Sequence, residues 1–373
     1  MGKIKTQLDL LKTDITFLAK GIVERQCLIQ PELNELEPKE MAKFLENTKY
    51  NLEYLFAAVE VDSKALFEQY NRWAKVMMIK HDLPLETMTN FYICTETVFG
   101  EKLSNWQISK GLHDKLHVCM HYGKYAFDNE VKEPASFLVD DNPFKESLVK
   151  YSEAIFTCDK NAMAKLINEC TEKGMEIGDI YKHILQPFQR ELGLLWQNNK
   201  LSVAEEHYAT ALTEFAMSML YQKIISKEKN GKVILGACVQ GELHDIGLRM
   251  VCDYMESKGW MAYYLGADMP ASALIKMIKE KKPDIIALSC TMAFNIAKLH
   301  DLVSAINAAG IKTPIIVGGY PFQFDSQLCA KVGAMSYASD FEEMYSLACK
   351  DVDEVQVGDE VQVGDEVQVG TGS

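Results

Sequence analysis

The stretch KVILGACVQGELHDIG, residues 232–247, decides the architecture of the carboxyl-terminal half of this chain. Val233 to Val239 are apolar, interrupted only by Gly236. Apolar residues at successive rather than alternate positions read as a strand buried on both faces. The run stops at Gln240-Gly241 and leads into a loop bearing Glu242, His244 and Gly247. Four more runs follow: WMAYYLG (260–266), DIIALSC (284–290), TPIIVGG (313–319) and GAMSYA (333–338). Helical patterns of roughly 10–17 residues separate them, and such alternation predicts a parallel sheet with helices on both faces. Five strands in about 115 residues fit a flavodoxin-like α/β domain over 230–350.

Upstream, residues 145–229 read as a four-helix bundle, with helices over 145–157, 160–173, 177–197 and 203–227. Asp159, the Lys173-Gly174 turn and the polar stretch from Gln197 to Lys200 separate them. Ser202 and Glu205 have the spacing of a capping box, which starts the last helix firmly. Short connections imply antiparallel neighbours. Residues 131–144, with Pro134 and Pro143, read as a linker. Residues 1–130 read as a mostly helical domain for sensing or partner docking. Residues 39–79 lack glycine, and Leu52, Leu55, Phe56 and Val59 recur at helical spacing.

Residues 351–373 repeat DEVQVG three times. They carry too few large apolar side chains to build a core and read as a disordered acidic tail. An expression scar or an expanded repeat would look the same. The tail holds seven acidic residues and no Lys or Arg, so it supplies half of the chain's net charge of −14. The rest of the chain is only moderately acidic, and direct nucleic-acid binding is not expected.

The full chain has 373 residues, 48% of them hydrophobic and 25% charged, the balance of a folded globular protein. No apolar run reaches the roughly 18 residues that span a bilayer, so no membrane role is expected. The first twenty residues mix charges into their apolar positions and lack the core of a secretory signal. Ten cysteines are scattered without a CxxC, several in apolar runs, as expected of buried thiols in a reducing cytoplasm.

In a doubly wound sheet, ligands gather beyond the carboxyl ends of the strands. Three features fall there: Glu242-x-His244-x-x-Gly247, then Ser289-x-Thr291, then Gly318-Gly319. A carboxylate two residues before a histidine can fix the imidazole tautomer and raise its basicity, as partners of metal-bound histidines do. One histidine does not make a protein-only zinc cage, which needs three or four ligands. It suits a metal that brings its own ligands, as in a tetrapyrrole-like macrocycle. Glycines at 318 and 319 let a large group approach the backbone. Taken singly, each feature has a plainer reading: a turn, a chain reversal, a helix cap. Their conjunction on one edge favours a site.

This set of motifs resembles the cobalamin-binding module of methionine synthase, methanogenic corrinoid proteins and adenosylcobalamin photoreceptors, over roughly residues 143–350. The resemblance implies base-off cobalamin, with His244 as the lower cobalt ligand and Glu242 hydrogen-bonded to it. It also implies that Ser289 contacts the buried base and that Gly318 and Gly319 make room for the nucleotide tail, with Gly247 and Thr291 completing the motifs. Two positions depart from the family. Glu242 stands where Asp is commoner, and Thr291 where a branched apolar residue is frequent.

Trp196, Glu206 and His207 reproduce a Trp-x9-Glu-His pattern that resembles the signature of cobalamin photoreceptors, including light-responsive transcriptional regulators. The resemblance implies a bundle that caps the upper face of the cofactor, with Trp196 over the upper axial group and Glu206 and His207 lining the adenosyl pocket. Without the resemblance, Trp196 reads as core and Glu206-His207 as a solvated first turn. Gln197 stands where light-dependent repressors of the family carry a histidine, so a second histidine ligand from that position is not expected.

His113, His117 and His121 share one helical face. The favoured reading is a partly exposed amphipathic face, and the alternative is a second metal or pH-sensing site. The functional expectation is an adenosylcobalamin-dependent light sensor in the cytoplasm without enzymatic activity of its own. Its output runs through a protein partner such as a transcriptional regulator, or through a homo-oligomer. The alternative is a corrinoid methyl carrier that uses methylcobalamin. A mutase would need a substrate barrel of about 250 residues.

Overall fold

The computed structural model describes residues 2–103, 108–225 and 228–350; the acidic repeat at 351–373 lies outside the described residues. Apolar positions at helical spacing form helices throughout the amino-terminal region. These are α1 (Gly2–Thr13), α2 (Ile15–Ile29), α3 (Pro38–Glu60), α4 (Lys64–Lys80), α5 (Glu86–Leu103) and α6 (Lys110–Asp128). The bundle segment contributes α7 (Lys145–Phe156), α8 (Lys160–Glu172), α9 (Ile177–Ile180), α10 (Gln186–Gln197) and α11 (Val203–Ile224). The spacing predicts one uninterrupted helix over 177–197, but Tyr181–Leu185 forms a π-helical turn between α9 and α10. Pro187 supplies the physical reason, because it lacks an N–H and its ring crowds the carbonyl four residues back.

Two compact units divide the chain. One comprises Met1–Lys160, His183–Thr213 and Phe324–Leu328, and the other Asn161–Lys182, Glu214–Gln323 and Cys329 onward. In the first unit α4 and α6 approach closely at Gly123, where a Cβ would lie 2.5 Å from the Phe67 ring. Buried Asn71 donates to the Phe67 carbonyl at 2.6 Å and accepts from the Tyr92 hydroxyl. The Glu191 carboxylate accepts from the Phe137 N–H at 2.7 Å and the Ser136 hydroxyl at 3.0 Å, anchoring 131–144 to α10. Tyr151 meets Phe188 edge-on and donates to Thr213 Oγ1 at 3.0 Å. Ser202 and Glu205 form the reciprocal capping box ahead of α11.

The second unit is built on one parallel sheet of β1 (Val233–Cys238), β2 (Met261–Tyr264), β3 (Ile285–Ser289), β4 (Ile315–Gly318) and β5 (Ser336–Tyr337). Its order is β2-β1-β3-β4-β5, the flavodoxin-like arrangement. Helices α12 (Ile246–Ser257), α13 (Ala271–Lys281), α14 (Ile296–Ala308) and α15 (Leu328–Val332) connect the strands, and a last helix covers 341–350. Each strand lies inside its expected run, and β1, β3 and β4 are almost wholly buried, whereas edge strand β2 is not. Ile234, Leu248, Met255, Trp260, Ile285 and Ile316 are among the core residues. A Cβ at Gly236 would lie 2.6 Å from Cys252 Sγ, so the glycine lets α12 press onto β1. The Tyr181 hydroxyl donates to Asp253 on α12 at 2.7 Å. All ten cysteines are free thiols.

Candidate functional site

The order of the sheet reverses at β1, whose neighbours are β2 and β3. The carboxyl ends of β1 and β3 therefore form the switch point at which open α/β sheets hold ligands. In register, Cys238 of β1, Ser289 of β3 and Gly318 of β4 make one row across that edge. The loop after β1 carries Glu242 and His244. The loop after β3 carries Thr291.

Glu242 is fully buried in this loop cluster. Its Oε1 lies 2.6 Å from His244 Nδ1 and accepts the His244 backbone N–H at 3.1 Å. With a carboxylate as the acceptor, Nδ1 carries the proton, and the basic lone pair of the ring sits on Nε2. The second oxygen, Oε2, accepts the backbone N–H groups of Thr291 at 2.9 Å and Met292 at 2.8 Å. Asn295 Nδ2 donates to it at 3.3 Å and to the Gly241 carbonyl at 3.2 Å. One carboxylate thus ties the β1 loop to the β3 loop. Burial raises its pKa, but the hydrogen bonds from the His244 ring and the Met292 N–H, with the electrostatic attraction of His244, outweigh that and hold it down to about 2.

The His244 side chain is 57% exposed although its carboxylate partner is at 0%. An imidazole fixed by a buried anion and open over half its surface is the donor set for a metal that brings its remaining ligands. Among the described residues no group of three or more His, Cys, Asp or Glu is placed to hold a bare ion. A corrin, with cobalt already held by four ring nitrogens, fits one protein imidazole.

The remaining predicted positions divide by role. Gly319 has φ +123°, and a Cβ there would lie 1.9 Å from the Cys290 carbonyl oxygen, so this glycine is demanded by the backbone itself. Gly318 is different: a Cβ would meet only the Ala338 carbonyl, at 3.4 Å. Gly247 sits in the first turn of α12, and a Cβ there would meet nothing within 4 Å. Thr291 enters through its backbone N–H. In the first unit, Trp196 is half-buried near the end of α10 and stacks on Trp73. Glu206 Oε2 lies 2.5 Å from His207 Nδ1, and Glu206 Oε1 accepts from Thr210 at 2.9 Å. His113, His117 and His121 are all exposed on α6, with Glu96 Oε1 3.6 Å from His117 Nδ1.

Reading the sequence overlooked Met292, Asn295 and Lys298. Asn295 is wholly buried and accepts from Lys298 Nζ at 3.0 Å. Its signal was a lone polar residue in the apolar run MAFNIA, residues 292–297.

Residues 232–344 match the B12 binding domain family, and residues 148–221 match a second B12 binding domain family. Over these segments the chain carries B12 binding domains, and it binds cobalamin. Dimethylamine corrinoid protein 1 of Methanosarcina mazei is 26% identical over 209 residues, 55% of this chain and 95% of that protein. The HTH-type transcriptional repressor CarA of Myxococcus xanthus is 30% identical over 163 residues, 44% of this chain and 54% of the repressor. The monomethylamine corrinoid protein of Methanosarcina barkeri aligns structurally with a TM-score of 0.48 at 18% identity, over 57% of this chain and 97% of its own.

Proposed function

We propose that the chain is an adenosylcobalamin-dependent sensor that responds to light and acts through a protein partner, in the cytoplasm. The observation that carries cofactor attachment is the 2.6 Å contact between buried Glu242 and exposed His244 at the switch point of the sheet. In this reading His244 is the lower ligand of base-off cobalamin. Glu242 keeps the proton on Nδ1 and the basic lone pair of the ring on Nε2. Ser289 and Gly318 border the nucleotide tail, Gly319 and Gly247 shape the loops around it, and Thr291 anchors Glu242.

Trp196, Glu206 and His207 support the adenosyl form, because their spacing is that of the photoreceptor pattern. The bound cofactor supplies a cobalt–carbon bond that light can break. The chain's own part is to present an aromatic wall at Trp196 and a hydrogen-bonded Glu206-His207 pair. Residues 1–130 are the proposed docking element for the partner, a transcriptional regulator or a second copy of the chain, with 145–229 as the cap.

The test is an absorption spectrum of protein incubated with adenosylcobalamin in the dark and again after green light. The expected result is a base-off, histidine-ligated spectrum that His244→Ala abolishes, followed by a light-induced change in spectrum and in oligomeric or partner state. Binding that ignores the upper ligand, with no response of assembly to light, sinks the sensor reading.

A second reading is a corrinoid methyl carrier. The observation favouring it is that the match to the dimethylamine corrinoid protein spans 95% of that relative. Reconstitution with methylcobalamin and transfer of the methyl group to a thiol acceptor in the presence of a partner methyltransferase would select it. No helix among the described residues is long and apolar enough to cross a membrane.

A further inference from the structure

We infer that Trp73, from the amino-terminal helical region, is the positioning residue for Trp196 and so sets how strongly the cobalamin site prefers an adenosyl upper ligand. The inference rests on the reading of Trp196 given above. The two indole rings lie 6.1 Å apart between centroids at an interplanar angle of 18°, an offset stack. The adjacent residue of α10 holds the same partner: buried Gln197 donates Nε2 to the Trp73 carbonyl at 3.2 Å. Trp73 is therefore gripped at both its ring and its backbone by consecutive residues of one helix.

Trp73 is itself held from behind. Its ring stacks on Tyr70 at 6.1 Å and 27°, and Tyr70 stacks on Tyr54 of α3 at 3.8 Å and 14°. The Tyr70 hydroxyl donates to Asn51 Oδ1 at 2.5 Å, and Phe67 lies 6.1 Å from the Tyr70 ring. Four aromatic rings thus run from α3 through α4 to α10, and Trp196 is the last. It remains half-buried, so one part of its surface is committed to Trp73 and another is open. A side chain whose rotamer is already fixed by the protein loses no further freedom when a ligand packs against it. Removing Trp73 frees that rotamer and weakens only those ligands that use the Trp196 surface.

The experiment uses the full chain and compares dissociation constants for adenosylcobalamin and hydroxocobalamin in the dark. The variants are Trp73→Leu, Trp73→Phe and Trp196→Ala, with far-ultraviolet circular dichroism of each cofactor-free protein. The stacked indoles should give an exciton couplet that Trp73→Leu and Trp196→Ala remove. Trp73→Leu should weaken adenosylcobalamin by about two- to tenfold, the range of a lost aromatic stack, and leave hydroxocobalamin within about twofold. Trp73→Phe should restore most of the difference.

A selectivity ratio that changes in Trp196→Ala but not in Trp73→Leu overturns the inference and leaves the reading of Trp196 standing. A ratio unchanged even in Trp196→Ala removes that reading and the inference with it. Equal weakening of both cofactor forms in Trp73→Leu reduces Trp73 to a packing residue and also overturns it. Should Trp73→Leu lose helical circular dichroism, Trp73→Met, which likewise has no ring to stack, supplies the same comparison.

Discussion

Glu242 reaches His244 with one carboxylate oxygen, Nδ1 to Oε1 2.6 Å, and the far loop of the sheet with the other. The residue therefore has two separable duties, to orient the imidazole and to close the gap between the loops after β1 and β3. Asp at this position, one carbon shorter, would keep the charge but not both contacts. Glu242→Asp is expected to retain the His244 contact and lose the Thr291 and Met292 N–H bonds. The cost in urea denaturation of the cofactor-free protein should be about 1–3 kcal/mol, the penalty of buried donors left unpaired. Glu242→Gln should cost a similar amount and also weaken histidine ligation in the absorption spectrum, because the negative partner of Nδ1 is gone.

Two buried carboxyl groups pull the pH dependence of stability in opposite directions. Glu242 is lowered from 4.5 to about 2, so its contribution is complete above pH 4.5 and is lost as pH falls towards 2. Asp253 is raised from 3.8 to about 6, by burial against the opposing Tyr181 hydrogen bond and Arg249 charge. Its ionisation penalises the folded state, so stability falls as pH rises from about 4 through 6. Each effect is of order 3 kcal/mol at most. For the cofactor-free protein these two groups should give a stability maximum near pH 4–5. Denaturation midpoints from pH 3 to 8 should show the fall above pH 5 vanish in Asp253→Asn, which still accepts from Tyr181. Persistence of that fall in the variant would refute the assignment.

The paired glycines at the end of β4 look alike in the sequence but should respond differently to alanine. Gly319→Ala places a Cβ 1.9 Å from the Cys290 carbonyl oxygen at φ +123°, and the backbone must move. A loss of about 3 kcal/mol or more is expected, with or without cofactor. Gly318→Ala meets only an ordinary contact at 3.4 Å. Its melting temperature should stay within about 3 °C of wild type, a shift worth less than about 1 kcal/mol. If the nucleotide tail passes Gly318, cobalamin affinity should nevertheless fall. Thermal melts and cofactor titrations on the two variants separate a glycine needed by the fold from one needed by the ligand.

The sheet was legible because β1, β3 and β4 are buried on both faces and their sequences are nearly continuous apolar runs. At the edges the runs overstate the strands: GAMSYA spans six residues, but only Ser336 and Tyr337 pair. The π-turn at Tyr181–Leu185 was hidden because the apolar spacing continues through it; only Pro187 hinted at a break. Within the site, the Glu242–His244 pair could be read because its members are two residues apart. The contacts to Met292 and Asn295 span 50 and 53 residues and depend on how two loops meet. Trp196 was legible as a motif residue, but its partner Trp73 was not, since their contact is made by packing between distant helices rather than by local spacing.

Asn295 offers the sharpest separation of loop structure from cofactor chemistry. Its amide donates to Glu242 Oε2 and to the Gly241 carbonyl while its oxygen accepts from Lys298. Asp at 295 is nearly isosteric but replaces the donating amide with a second carboxylate facing Glu242. Two such groups in contact cannot both remain ionised at little cost, so one must take up a proton and the pair must rearrange. Asn295→Ala should cost about 1–3 kcal/mol at neutral pH, because the Gly241 carbonyl and Lys298 lose a buried partner. Asn295→Asp should match it near pH 4 and fall further behind as pH rises through 7, with Lys298 offsetting part of the added charge. Urea denaturation of both variants at these pH values checks the order. Histidine ligation, followed by the cobalamin spectrum, should weaken more in Asn295→Asp than in Asn295→Ala, since only the former competes for the proton that Glu242 shares with His244.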